Sequence, residues 1–140
     1  MDSTITVMAW VCPKAISNGL TDMITKGDNH VLQLVNGRQI TFFAGGWGRG
    51  DCTVDLPVDW LNHWHHIAGV CDGRSLKLYI DGVLKGTTEL EEAVNLSNTN
   101  KWTIGRNEEF PMQRIFTGLI DQVKIFAVPL NAQAIRGEMK

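Results

Sequence analysis

From Thr4 to Cys12 the chain alternates, with Ile5, Val7, Ala9 and Val11 on one side and Thr6, Met8 and Trp10 on the other, until Pro13 ends the ladder. A period of two predicts a strand, here with apolar character on both faces. Short strands are predicted again at Met23–Lys26, His30–Val35, Arg38–Ala44 and Cys52–Leu56. Asn36-Gly37 sits between the second and third of these, where a two-residue hairpin needs residues tolerant of positive φ. Two further alternating runs fill Trp64 to Gly82, each closed by an Asp-Gly, and Val83–Thr88 continues beyond them. Lys101–Gly105 and Ile115–Val128 complete the pattern, the latter as one long strand or a pair.

Between these runs the chain turns. Ser17-Asn18-Gly19 and Gly27-Asp28-Asn29 are turn sequences. Gly45 to Asp51 carries four glycines in six residues, which no regular element orders cheaply, so it is a loop. Glu89 to Asn100 is acidic and then Asn/Ser/Thr-rich, predicting a long surface connection, and Arg106 to Gln113 is a polar loop. Only the tail is helical in pattern: Asn131 is a suitable N-cap for Ala132–Arg136, with Gly137 as the stop. The predicted fold class is therefore all-β, a two-sheet antiparallel sandwich with a short C-terminal helix.

Composition narrows the functional classes. At 140 residues the chain makes one domain, residues 1–140, with a core of its own. A net charge of -2 gives no basic field for nucleic acid or anionic lipid. No apolar run approaches the roughly 20 residues of a spanning helix. Met1-Asp2-Ser3 leads straight into the first strand without a signal segment, so the expectation is a domain cut from a longer protein. Cys12, Cys52 and Cys71 are odd in number and lie in strand-like runs, where they read as small buried apolar side chains.

Several of these segments, in this order, resemble the laminin G-like, or concanavalin A-like, lectin and glucanase domains. They are Ile24-Thr25-Lys26-Gly27-Asp28, the whole of Trp64 to Gly82, Thr103-Ile104-Gly105-Arg106, and Phe116 to Phe126, followed by Pro129-Leu130-Asn131 with Ala134-Ile135. The resemblance covers nearly the whole chain. It implies a jelly roll of two packed antiparallel sheets, used as an ancillary part of an extracellular, periplasmic or cell-surface protein. Members usually open with an extra strand that this chain lacks. A neighbouring domain or a second copy would then supply the pairing, and self-association through an open sheet edge becomes an expectation. Some members hold calcium at one end of the sandwich. Asp121 matches the acidic position of the late motif, which makes calcium the candidate cofactor and Asp121 its one candidate ligand here.

No catalytic constellation stands out. Of His63, His65 and His66, the first and second sit two apart and would share a strand face, but no third ligand is identifiable, and the resemblance implies a Trp-His-His placed here for packing and backbone bonding rather than for zinc. No two carboxylates are paired as a glycosidase needs them. Arg49-Gly50-Asp51 spells an adhesion tripeptide too short to carry weight, and Asn95-Leu96-Ser97 is a formal glycosylation sequon.

The aromatic residues offer more. Sugar rings present an apolar C–H face that an exposed indole covers while amides, carboxylates and guanidinium groups bond the hydroxyls. Trp47, in the glycine-rich loop, is the leading candidate, with Arg49 and Asp51 beside it and Arg106, Asn107 and Glu108 converging from the later polar loop. Trp47 either stands free or folds back as a lid over the sheet. Trp10, Trp64 and Trp102 are expected in the core, and Trp60 is open.

The functional expectation is a non-catalytic carbohydrate-binding accessory domain of a secreted glycoside hydrolase or other polysaccharide-directed protein. A structural or protein-interaction domain packing on a neighbouring domain is the alternative. Whether the concave sheet face or the loop rim meets the partner is left open by the sequence.

Overall fold

The computed structural model describes residues 3–140; Met1 and Asp2, at the start of the 1–140 domain expected above, lie outside the described residues. Ten strands and one helix follow in order: β1 Ile5–Pro13, β2 Leu20–Lys26, β3 His30–Val35, β4 Gln39–Phe43, β5 Cys52–Asp55, β6 His65–Cys71, β7 Ser75–Ile80, β8 Val83–Glu89, β9 Trp102–Ile104, β10 Gly118–Phe126 and α1 Ala132–Glu138. They form two antiparallel five-stranded sheets, β10-β1-β6-β7-β8 and β5-β4-β3-β2-β9, stacked as the expected jelly-roll sandwich. Two of the three predicted hairpin turns have two successive residues at positive φ, Asn36 (53°) with Gly37 (64°) and Asp81 (53°) with Gly82 (80°), while at Asp72-Gly73 only the glycine does (94°).

Alternation determines which side chains meet between the layers. Ile5, Val7, Ala9 and Val11 of β1, Ile67 of β6, and Leu76, Leu78 and Ile80 of β7 face inward from the first sheet. Leu32 and Leu34 of β3 and Ile40 and Phe42 of β4 face them from the second. At the centre Phe42 presses on Gly69 of β6, where an added Cβ would lie 2.5 Å from the ring. That glycine is required by close approach of the two sheets, since its backbone angles are ordinary for a strand. The three cysteines are free and buried.

The first sheet also buries part of its outer face. Met8, Ala68, Val70 and Tyr79 are covered by α1 through Ile135. Asn131 caps the helix as expected, its side chain accepting the Ala134 N–H at 2.9 Å. The helix does not stop at Gly137 but runs to Glu138. Its last carbonyls find donors there, Trp10 Nε1 to Met139 O at 3.1 Å and Lys124 Nζ to Glu138 O at 3.0 Å.

Other expectations also change. Trp64 precedes β6 and is 46% exposed, so it is not a core residue, while Trp60 is buried and stacks on His65. Trp10 is half-buried on the outer face and Trp102 is half-buried against the core. The connection from Glu89 to Asn100 is not purely a surface segment. It sends Leu90, Val94 and Leu96 into the core, a one-in-several pattern that its polar residues hide. β10 lies at the edge of the first sheet, and Gln122, at φ 53°, sits beside the register shift that bends it. A bulged edge is a poorer template for another strand than a straight one.

Two histidines of β6 fare differently. His65 lies between two carboxylates, Nδ1 2.7 Å from Asp81 Oδ2 and Nε2 3.1 Å from Asp59 Oδ1. Asp81 also accepts the His66 N–H, which ties the tip of the β7–β8 turn to the start of β6. Burial alone would lower the His65 pKa, but the hydrogen bond and charge of Asp81, joined by Asp59, raise it above its usual value. His66 is buried beneath Trp10 and is pushed down to about 4 by desolvation.

Two outcomes follow from this packing. Gly69→Ala forces a methyl into the Phe42 ring and is expected to cost about 1–3 kcal/mol in chemical denaturation; an unchanged midpoint contradicts the close approach. In an NMR pH titration, His65 is expected to titrate above 6.5 and His66 near 4. A folded-state pKa raised in this way stabilises fully below 6.5, and that contribution is lost as the pH rises through the folded value. Replacing His65 with Gln is therefore expected to flatten the fall in stability on the alkaline side.

Candidate functional site

Whereas α1 covers much of the outer face of the first sheet, the outer face of the second carries a groove. The register aligns one residue from each of four strands: Asp22 opposite Gln33, Gln33 opposite Thr41, and Thr41 opposite Thr53. All four project away from the core, since Leu32, Leu34, Ile40 and Phe42 take the inward positions. The result is a polar row across the middle of a sheet. Val35 and Leu20 flank it on one side and Phe43 on the other, and the groove over it encloses about 400 Å³.

Trp47 stands at the rim. It is 73% exposed, with its ring edge-on to Phe43 at 6.1 Å between centroids. Of the two orientations the sequence allows, it takes the free one, propped by Phe43 rather than folded flat. Asp51 also lines the groove, and its carboxylate accepts the Thr53 hydroxyl at 2.9 Å. Thr53 in turn bonds Thr41 at 2.8 Å.

The opposite wall comes from a later segment. Arg114 is held at φ 58°, a left-handed conformation that non-glycine residues seldom adopt, and its carbonyl accepts the Asp22 N–H at 2.7 Å. Its guanidinium lies 3.7 Å over the Phe110 ring and 3.2 Å from Asp28 Oδ1. Asn107, fully buried, donates to the same Asp28 oxygen at 3.4 Å, and Glu109 accepts the Asp28 N–H. Arg114 is thus fixed before any ligand arrives.

Beneath this wall Asp22 is completely buried, and neither of its oxygens has a hydrogen-bond partner among the described residues. The same is true of Oε1 of Gln33, its cross-strand neighbour. Desolvation pushes the Asp22 carboxyl up to about 6, with the Arg114 charge opposing the rise and Asp28 adding to it. Orphaned buried acceptors cost roughly 1–3 kcal/mol each, more when charged. A fold that retains three of them side by side under an open groove does so at a cost to stability.

The residues singled out by sequence divide accordingly. Trp47 and Asp51 line the groove, and Asn107 supports its wall through Asp28. Arg49 points elsewhere, its guanidinium 3.9 Å from Glu92. Arg106 is exposed, and its carbonyl accepts the Thr25 and Thr103 hydroxyls. Glu108 accepts the Lys101 N–H at 2.8 Å, outside the groove. Asp22, Gln33, Thr41 and Arg114 were missed. For the first three the signal was a polar residue at the outward phase of the alternation in β2, β3 and β4; Arg114, outside any strand, had none. Asp121 is exposed on β10 of the other sheet, one oxygen accepting the Gln122 N–H. Among the described residues no three His, Cys, Asp or Glu side chains are placed to hold a metal, so the residues at hand do not build a calcium cage round Asp121.

A family model for the concanavalin A-like lectin/glucanases superfamily matches residues 1–136. The chain belongs to this superfamily. Among solved structures of its fold, it is similar to a candidate carbohydrate binding protein from Bacteroides ovatus, with 16% identity, a TM-score of 0.81, and coverage of 96% of this chain and 40% of that one. It is also similar to domain 4 of an extracellular arabinanase from Geobacillus stearothermophilus, solved with arabinotriose, at 22% identity and a TM-score of 0.69, covering 99% and 68% of the two chains. A heptameric pentraxin from Limulus polyphemus shares 15% identity at a TM-score of 0.72, over 96% and 69%. No curated protein matches the chain. This superfamily member therefore spans less than half the length of the Bacteroides protein.

The Asp22 site yields its own outcome. Because the folded-state carboxyl is raised, the cost of ionising it is absent near pH 4 and complete above about 6. Asp22→Asn keeps the shape and removes the charge. It is expected to stabilise the protein at pH 7.5 by up to roughly 3 kcal/mol and to have little effect near pH 4, as read by thermal melts at the two pH values. A destabilised variant at pH 7.5 contradicts a strained, uncompensated carboxylate.

Proposed function

We propose that the groove on the second sheet binds a saccharide, and that the domain serves as a non-catalytic anchor holding a larger protein on a glycan. The observation that carries this reading is the polar floor of Gln33, Thr41 and Thr53, with the Gln33 amide oxygen unpartnered and the Asp51 carboxylate beside it, under a groove rimmed by an exposed indole. Such a floor calls for a partner rich in donors, and the rim calls for one with an apolar face. Sugars present both. The arabinotriose complex of the arabinanase domain supports the same class of ligand.

A binding role suits these carboxylates better than catalysis. Asp28 is engaged by Arg114 and Asn107, Asp51 by Thr53, and Asp22 is sealed from solvent. Glycoside hydrolysis needs one acid and one base facing each other across the bond, both reaching the substrate. An anchor needs only modest affinity: a dissociation constant near millimolar, about -4 kcal/mol, raises the effective concentration of a tethered domain at a polymer. The parent protein on this reading is polysaccharide-directed and acts outside the cell or at its surface, as the arabinanase does.

A protein-docking role has one observation in its favour. Ile16, Val58 and Leu61 are exposed around a depression at one end of the sandwich, which suits a sibling domain. That surface shares no lining residue with the groove and is compatible with the anchor.

Affinity electrophoresis and calorimetry on neutral polysaccharides and their oligosaccharides, arabinan included, test the proposal. Trp47→Ala removes an exposed side chain, so folding is expected to be intact while affinity falls tenfold or more. Release of reducing sugar by the domain alone contradicts the anchoring role. Silence across every glycan contradicts the saccharide groove.

A further inference from the structure

The charges around the groove are lopsided. Asp28 and Asp51 line it and Asp22 lies under its floor, against one lining cation, Arg114. With Asp22 ionised, as it is above about pH 6, three carboxylates stand against one guanidinium, a formal charge of -2. Arg114 does little to offset this for an incoming anion. Its Nη1 already bonds Asp28, its flat face is covered by Phe110, and Asp22 lies close enough for its charge to be felt. The nearby cations are committed elsewhere as well. Lys26 Nζ bonds Asn98 Oδ1 and the carbonyls of Asn98 and Asn100, and Arg49 faces Glu92.

What the floor offers a ligand is acceptors. Gln33 lines the groove with an unpartnered amide oxygen, Asp51 has a second oxygen beyond the one that accepts Thr53, and Asp22, sealed beneath, contributes only its charge. A hydroxyl or a protonated amine donates to such a set. A carboxylate or sulfate brings only more acceptors and more negative charge, and must be desolvated against both.

Resting on the saccharide reading above, we propose that this groove selects by charge: it takes neutral and amine-bearing sugars and rejects uronic, sialic and sulfated ones. Asp51 is the residue that sets this selection at the rim, because it is exposed and lies on the approach to the groove beside Trp47. Asp28 acts with it from the opposite wall but also holds Arg114 and Asn107, so its replacement disturbs the wall itself.

The test is a charge series on one ring skeleton, measured by calorimetry at pH 7.5 with the whole chain: gluco-oligosaccharides, glucosamine oligomers and glucuronic-acid oligomers, with the corresponding arabino-, galacto- and galacturonic-acid series as a second skeleton. The expected order is amine equal to or tighter than neutral, and neutral tighter than acid by tenfold or more at low salt, about 1.4 kcal/mol. The gap is expected to narrow in 0.5 M salt, where exposed charges are screened. Asp51→Asn is expected to shrink the neutral-to-acid ratio at least threefold at low salt, whatever it does to overall affinity. Acid sugars binding as well as or better than neutral ones, or a ratio unmoved by both salt and Asp51→Asn, overturn the charge selection while leaving the saccharide groove standing. No binding in any member of either series sinks the saccharide reading and this inference with it.

Discussion

Everything in this molecule depends on the burial of two apolar sheet faces against each other. Side chains in a strand alternate strictly, so once Leu32, Leu34, Ile40 and Phe42 turn inward, Gln33 and Thr41 have no choice but to turn out. Antiparallel pairing then lines them up with Asp22 and Thr53. The hydrophobic effect has no preference for a polar row on the far side, yet it fixes that row's position to within a residue. A slip of one would bury the row and expose Phe42. The contact of Phe42 with Gly69 guards against such a slip, because only this register brings the ring over a residue without a side chain.

The two outer faces then diverge in role. On the first sheet the middle of the outer face is apolar, and the C-terminal helix closes over Met8, Ala68 and Tyr79. On the second the loops rise at the margins without covering the centre. Trp47 is raised by the glycine-rich loop and Arg114 by a left-handed turn, one on each side of the polar row. The domain keeps buried acceptors without donors there, at a cost to stability. Concentrated strain of this kind, a raised carboxyl, orphan oxygens and a non-glycine residue at positive φ, is what marks a working surface in a fold otherwise consistent at every level.

How much of this the sequence disclosed follows from range. Hairpins at Asn36-Gly37 and Asp81-Gly82 were legible because turn chemistry is local, and the sandwich followed from alternation repeated along the chain. Trp47 and Asp51 were legible because a glycine-rich loop advertises exposure. Asp22 and Gln33 were not, since each is an ordinary polar residue in its own strand and becomes part of a cluster only through pairing across the sheet. Arg114 was not singled out because it falls between the polar loop Arg106–Gln113 and the long run from Ile115, and nothing local marks it. Of Arg106 and Glu108, chosen from the neighbouring polar loop, the first is exposed with its backbone carbonyl accepting the Thr25 and Thr103 hydroxyls, and the second accepts the Lys101 N–H. The helix overran Gly137 for a related reason: its last turn is held by Trp10 and Lys124, contacts from strands more than a dozen residues away.

Recognition is assigned to the uncovered face of the second sheet. Backbone amide mapping by two-dimensional NMR, with neutral oligosaccharide titrated into the labelled domain, locates the contact without any substitution. Shifts confined to β2 to β5, the loop bearing Trp47 and the segment round Arg114 are the predicted result. Shifts centred on the C-terminal helix or on the apolar end at Val58 and Leu61, with the sheet face silent, would contradict it.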